Sequence, residues 1–200
     1  LGENLKREVS LGLDPGWKNF GAACIEHCGG FKVNVVSTGT FDVSQEASEN
    51  FVRALTLELI PEDSKFKDVT IERYVAYANV RSGEAENITM LIGMLRYEYH
   101  LLGLNGHGKI NVNLIRAIEW KTKLVQILSK FTNFDNPSLD LDKKFSLAAA
   151  KHISINKEVI TNDHIADAVC LASLPGLERE VARLKTGSNN QTRNDKELQL

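Results

Sequence analysis

Three short apolar-rich runs follow one another within the first forty residues, separated only by turn residues, and this meander limits the fold more than any other feature of the chain. Residues 8–14 (EVSLGLD) end at Asp14-Pro15-Gly16, a strong turn signal. Residues 20–26 (FGAACIE) and 31–38 (FKVNVVST) predict two more strands, with Gly29-Gly30 suited to the hairpin loop between them. In the third run Phe31, Val33, Val35 and Ser37 alternate with Lys32, Asn34, Val36 and Thr38, so one face of that strand should be wet. Helical spacing through Phe51, Leu55 and Leu59 then stops at Pro61. Residues 68–75 (DVTIERYV) return to strand, 82–104 predict the longest helix, and 109–115 predict a fifth strand. Helical stretches near 118–130, 140–153, 163–173 and 177–185 follow. The two later strands must each cross over a helix, which sets them parallel to the first. The expected fold is α/β, with a mixed five-stranded sheet of three antiparallel strands and then two parallel ones, flanked by helices.

Composition sets the outer bounds. A chain of 200 residues, 42% of them hydrophobic, can bury one sizeable core, assigned to residues 1–185. Residues 186–200 are polar and without periodicity, and predict a disordered C-terminal tail. No run approaches the ~18 continuous apolar residues of a membrane helix, and the first residues lack the apolar core of a signal peptide. The three cysteines show no paired spacing; Cys24 and Cys170 lie in apolar surroundings and read as buried free thiols. That usage predicts a reducing intracellular compartment, the cytoplasm in the first instance, with an organelle left open. A net charge of −2 gives no global sign of a nucleic-acid partner. Residues 109–157, however, hold nine basic residues against four acidic, while residues 41–72 hold eight acidic against three basic. A basic flank beside an acidic centre can hold phosphates, although the same charges also fit ordinary solvated helix surface.

Three acidic elements stand where chemistry is expected. Asp14 closes the first strand and Glu72 occupies the matching place in Val69-Thr70-Ile71-Glu72. In open α/β sheets the carboxyl edge of the strands is where ligands bind. Asp-Pro-Gly is by itself also a plain turn, and Arg73 could serve as a structural partner for Glu72. The third element, Asn162-Asp163-His164-Ile165-Ala166-Asp167-Ala168, opens a helix on which Asp163, His164 and Asp167 share a face. Asn162 or Asp163 could cap that helix; capping does not account for Asp167, a turn deeper between two alanines. Convergent carboxylates suit a pair of Mg²⁺ or Mn²⁺ ions and phosphodiester hydrolysis, and His164 could bind metal, stabilise charge or move a proton.

The 82–104 helix carries two apolar stripes, one through Ile88, Leu91, Ile92, Leu95, Tyr99 and Leu102, the other through Met90, Met94, Tyr97 and Leu101. A helix apolar on two faces is buried on two sides: one stripe can cover its own sheet and the other can meet a partner subunit.

LGLDPGWKNFGAACIE resembles the first-strand signature of RuvC-type Holliday junction resolvases, members of the RNase H-like superfamily. DVTIERYV is similar to that family's strand with a catalytic Glu, and NDHIADAVCLA to its closing helix. The resemblance spans Val9 to about Leu174. It implies Asp14, Glu72 and Asp167 as metal-binding catalytic carboxylates, and His164 as a catalytic position that is Asp in some relatives; Asp163 competes with His164 as the completing ligand. It further implies two Mg²⁺ or Mn²⁺ ions per site, no nucleotide cofactor, and a homodimer that places paired nicks in four-way or branched DNA, with Ile88, Leu91, Ile92 and Leu95 assigned to the interface. Lys121 and Lys123 resemble basic positions near the cleft; with Lys143, Lys144, Lys151 and Arg81 they are candidates for DNA contact. Tyr74 and Tyr77 could stack on bases or sit in the core. The stretch from about Phe131 to Asp142 departs from bacterial members and suggests a phage, viral or organellar branch. Three other readings stay open: an RNase H-like or transposase-like enzyme on another nucleic acid, a non-catalytic junction-binding scaffold, and a sugar-kinase-like ATPase. Asp14-Pro15-Gly16 with Gly21 satisfies the first phosphate loop of the last, but no second Asp-x-Gly occurs.

Overall fold

A computed structural model describes residues 7–45, 49–61, 64–75, 82–103, 109–135 and 143–197. Its elements are β1 (Arg7–Asp14), β2 (Phe20–Gly29), β3 (Lys32–Phe41), α1 (Glu49–Leu59), β4 (Ser64–Glu72), α2 (Ser82–Leu102), β5 (Asn111–Ile115), α3 (Ala117–Phe131), α4 (Lys143–Ile153) and α5 (Asp163–Glu197). The five strands form one sheet in the order β3-β2-β1-β4-β5. β1, β2 and β3 pair antiparallel, while β4 joins β1 and β5 joins β4 in parallel. This is the mixed sheet that the meander and the two crossovers predict.

Alternation along the strands divides the core into two layers. Val9, Leu11 and Leu13 of β1, Ala22 and Cys24 of β2 and Val69 and Ile71 of β4 face α1 and α2. Ala23 and Ile25 of β2 face the other way, against α3, α4 and α5. On the α5 side β4 presents a polar row instead, Asp68, Thr70 and Glu72 at period 2. Asp68, 2% exposed, is matched there: Arg179 of α5 donates to it at 2.7 Å and the Asn111 amide at 3.2 Å.

β4 and the closing helices differ most from their predicted limits. β4 begins at Ser64 and ends at Glu72, where the sequence suggested 68–75, so Glu72 closes its strand as Asp14 closes β1. The helices predicted at 163–173 and 177–185 are one helix that passes through Pro175, and it continues to Glu197 across the residues expected to form an irregular tail. Proline removes one backbone donor and strains one turn, but buried Leu174 and Leu177 on either side hold that turn against the core. Among the described residues no helix is long and apolar enough to cross a membrane, and Cys24, Cys28 and Cys170 are free, with Cys24 and Cys170 buried as expected.

Candidate active site

β1 and β4 lie side by side with Leu13 opposite Ile71, so Asp14 and Glu72 emerge at neighbouring strand ends on the carboxyl edge of the sheet. β2 starts at the same edge, Gly21 opposite Asp14. α5 opens directly over this corner. Asn162 provides its cap, accepting the Ile165 N–H on Oδ1 at 2.9 Å, which releases Asp163 from that duty.

Two glycines allow the helix to come down onto the sheet. A Cβ on Gly12 would lie 1.9 Å from the Ala168 carbonyl oxygen, and one on Gly21 would lie 2.4 Å from that of His164. Any side chain at either position would push α5 away. With glycine at both, and with Ala166, Ala168 and Ala172 fully buried on the helix, the first turns of α5 carry His164 and Asp167 to the strand ends.

Each carboxylate has its own neighbour. His164 Nδ1 lies 3.0 Å from Asp14 Oδ2. The Trp120 indole N–H of α3 donates to Glu72 Oε2 at 2.8 Å. Lys121 Nζ stands 4.0 Å from Asp167 Oδ1 and 5.1 Å above the Trp120 ring. The side chains of Asp14 and Asp167 are each 15% exposed and that of Lys121 13%. Asp167 Oδ1 is buried without a hydrogen-bond partner among the described residues. The Glu72 carboxyl is pushed up to about 7, by burial first and by Asp14 and Asp167 beside it, against the Trp120 hydrogen bond and Lys121. Asp167 is likewise pushed up to about 6, by burial first and then by Asp14 and Asp163, with Lys121 opposing. The carboxylates are therefore within electrostatic reach of one another and short of positive charge. Among the described residues no three His, Cys, Asp or Glu side chains converge as a coordination shell, because Asp14 turns to His164, Glu72 to Trp120 and Asp167 towards Lys121. The donor set nonetheless fits a hard divalent cation: carboxylate oxygens, partly desolvated, one of them an unsatisfied buried atom.

The remaining predicted residues divide. Lys121 reaches the site. Lys123 does not: it pairs with Glu178 at 2.9 Å, eleven residues beyond Asp167 on α5 and so ~16 Å further along that helix. Exposed Lys144 lies two residues from Ser146, whose carbonyl accepts from the Cys170 thiol of α5, whereas exposed Lys151 is two turns further from the site on the same face of α4. The Lys143 side chain, Tyr77 and Arg81 fall outside the described residues. Tyr74 packs its ring, partly buried, against the core on the α2 side. Ile88, Leu91, Ile92 and Leu95, assigned to a subunit interface, are at most 8% exposed and belong to the molecule's own core; the face of α2 left open is the second stripe, with Met90 54% and Tyr97 65% exposed. Trp120 was not singled out from the sequence. A tryptophan on an amphipathic helix signals an indole N–H in need of an acceptor, but nothing local names Glu72 as that acceptor.

No protein-family model matches the chain, and no curated protein matches it. Solved structures do. Thermus thermophilus RuvC in complex with a Holliday junction substrate aligns over 88% of this chain and 96% of its own, at 14% identity and a TM-score of 0.54. A second structure of Thermus thermophilus RuvC aligns over 89% and 97%, at 17% identity and a TM-score of 0.52. The yeast mitochondrial Holliday junction resolvase Ydc2 aligns over 94% and 84%, at 15% identity and a TM-score of 0.59. The chain has the RuvC-like fold.

Proposed function

We propose that this protein is a metal-dependent endonuclease of the RuvC type that resolves four-way DNA junctions. The reading is carried by one observation: Asp14, Glu72 and Asp167 come from two parallel strand ends and the closing helix to the carboxyl edge of a RuvC-like sheet, close enough that Asp14 and Asp167 both raise the Glu72 carboxyl. Asp14, Glu72 and Asp167 would hold Mg²⁺ or Mn²⁺, two ions per site, with His164 or Asp163 completing the set. The chemistry such ions supply is an acidified water nucleophile and charge stabilisation at the departing oxygen.

The chain's own groups prepare that chemistry. Glu72 and Asp167 resist ionisation when alone, so the site favours cations over protons only when both are deprotonated. Asp14 orients His164 through Nδ1, which sets where that ring carries its proton. Lys121 lies beside Asp167, within the site and mostly shielded from water, where its Nζ can meet a phosphate. Lys144 and Lys151 supply exposed charge for the flanking backbone. The open stripe of α2 supports a two-fold pairing of chains, and two sites so related can nick two strands of one junction.

Cleavage of a synthetic four-way junction in Mg²⁺, with linear duplex and RNA–DNA hybrid as competitors, tests the reading. Wild type should prefer the junction, and Asp14→Asn and Glu72→Gln should each cut ~100-fold or more slowly. Normal rates in both variants would remove the assignment of the site; preference for the hybrid would turn the same site to another substrate.

A further inference from the structure

Trp120 is fully buried in the layer between the sheet and α3 to α5, yet it touches the site twice. Its indole edge donates to Glu72 Oε2 at 2.8 Å, and its ring face lies 5.1 Å below Lys121 Nζ, which stands 4.0 Å from Asp167 Oδ1. A packed indole is rigid: its rotamer is set by Leu124, Leu128 and the rest of the same core layer. Glu72, by contrast, comes from a strand end and has a flexible side chain, and Lys121 has a longer one. Two mobile groups are thus tied to one immobile ring, one through a hydrogen bond and the other through a cation–π contact. Groups that orient ligands from behind in this way typically change metal affinity or activity by ~10–100-fold when removed.

We propose that Trp120 is a positioning residue, setting the Glu72 carboxylate through its N–H and the Lys121 ammonium through its ring face, so that Glu72 and Asp167 are spaced for the divalent cation they would share. The proposal rests on the nuclease reading for its purpose and on the contacts alone for its geometry. A tryptophan that only fills the core would leave its N–H indifferent to Mg²⁺.

The chain has two tryptophans, Trp17 and Trp120, so a Trp17→Phe variant identifies the Trp120 indole N–H signal in a ¹H–¹⁵N spectrum. Added Mg²⁺ should move that signal in the wild type, and Glu72→Ala should both displace it and abolish its response to Mg²⁺. Trp120→Phe, which keeps a ring under Lys121 but loses the donor, should weaken Mn²⁺ binding ~10-fold or more by electron paramagnetic resonance. It should lower kcat for the junction by a similar factor, with KM within about twofold. A Trp120 signal indifferent to both Glu72→Ala and Mg²⁺ overturns the proposal. So does a folded Trp120→Phe with wild-type Mn²⁺ affinity and kcat. If that variant does not fold, the wild-type indole signal decides. If the indole and Mn²⁺ responses are as expected but wild type cuts no junction, the nuclease reading fails and the positioning role stands.

Discussion

Glu72 and Asp68 share a strand and a face, but their surroundings divide them. Asp68 meets Arg179 at 2.7 Å and Asn111 at 3.2 Å, whereas Glu72 receives one neutral donor and lies beside other carboxylates. Asp68 is therefore a structural charge and Glu72 a poised one. Arg179→Met, which leaves buried Asp68 unmatched, should lower stability by ~2 kcal/mol in denaturant titration, the usual cost reduced because Arg179 is partly exposed. Glu72 should behave in the opposite sense. Its folded pKa, about 7, exceeds the ordinary 4.5, so the folded state keeps a proton that the unfolded state releases between those values. Stability contributed by protonated Glu72 is complete below pH ~4.5 and declines as pH rises to ~7. In metal-free buffer at pH 8, Glu72→Gln should then melt a few degrees above wild type, with a gain on the order of 1–2 kcal/mol once solvent screening is allowed for. Mg²⁺ should raise the melting temperature of wild type at that pH and leave Glu72→Gln nearly unmoved. Junction cleavage should rise from pH ~5.5 to ~7.5 as Asp167 and then Glu72 ionise, and a rate flat over that range would contradict these assignments.

At the scale of elements, α5 is the part that assembles the site, because its first turns bring His164 and Asp167 to strands that come about ninety residues earlier or more. The approach depends on Gly12. Gly12→Ala would set a methyl 1.9 Å from the Ala168 carbonyl, and either the helix or the strand must move. We expect a loss of ~3 kcal/mol or more, read by thermal melting, together with reduced cleavage, because the same shift carries Asp167 off the strand ends. The alanines in 163–173 made tight packing legible, and the strand ends made Asp14 legible. The continuity of α5 through Pro175 was not legible, since a proline after an apolar helical run reads locally as a stop and only the core against Leu174 and Leu177 overrides it.

For the molecule as a whole, the open question of subunit pairing falls on one surface. α2 presents two apolar stripes, and periodicity shows both without ranking them. The sheet takes Ile88, Leu91, Ile92 and Leu95, so Ile92→Glu should unfold the chain rather than separate two copies. Met90→Glu with Tyr97→Glu changes only exposed positions; it should keep the fold, and if wild type sediments as a dimer the double variant should sediment as a monomer. Junction binding by the inactive Asp14→Asn form should weaken steadily with salt, as phosphate contacts through Lys144 and Lys151 require. The sequence by itself determined the meander, the two parallel crossovers and the placement of Asp14 and Glu72 at strand ends and of His164 and Asp167 in the first turns of a helix, because strand period, turn chemistry and helix spacing are local properties that a few neighbouring residues decide. Tertiary structure alone decided that Trp120 holds Glu72, that Arg179 neutralises Asp68, that Lys123 faces away and which stripe of α2 stays open. Each of those is a pairing between groups from different elements, decided by how closely helices seat on the sheet, and no local pattern encodes that distance.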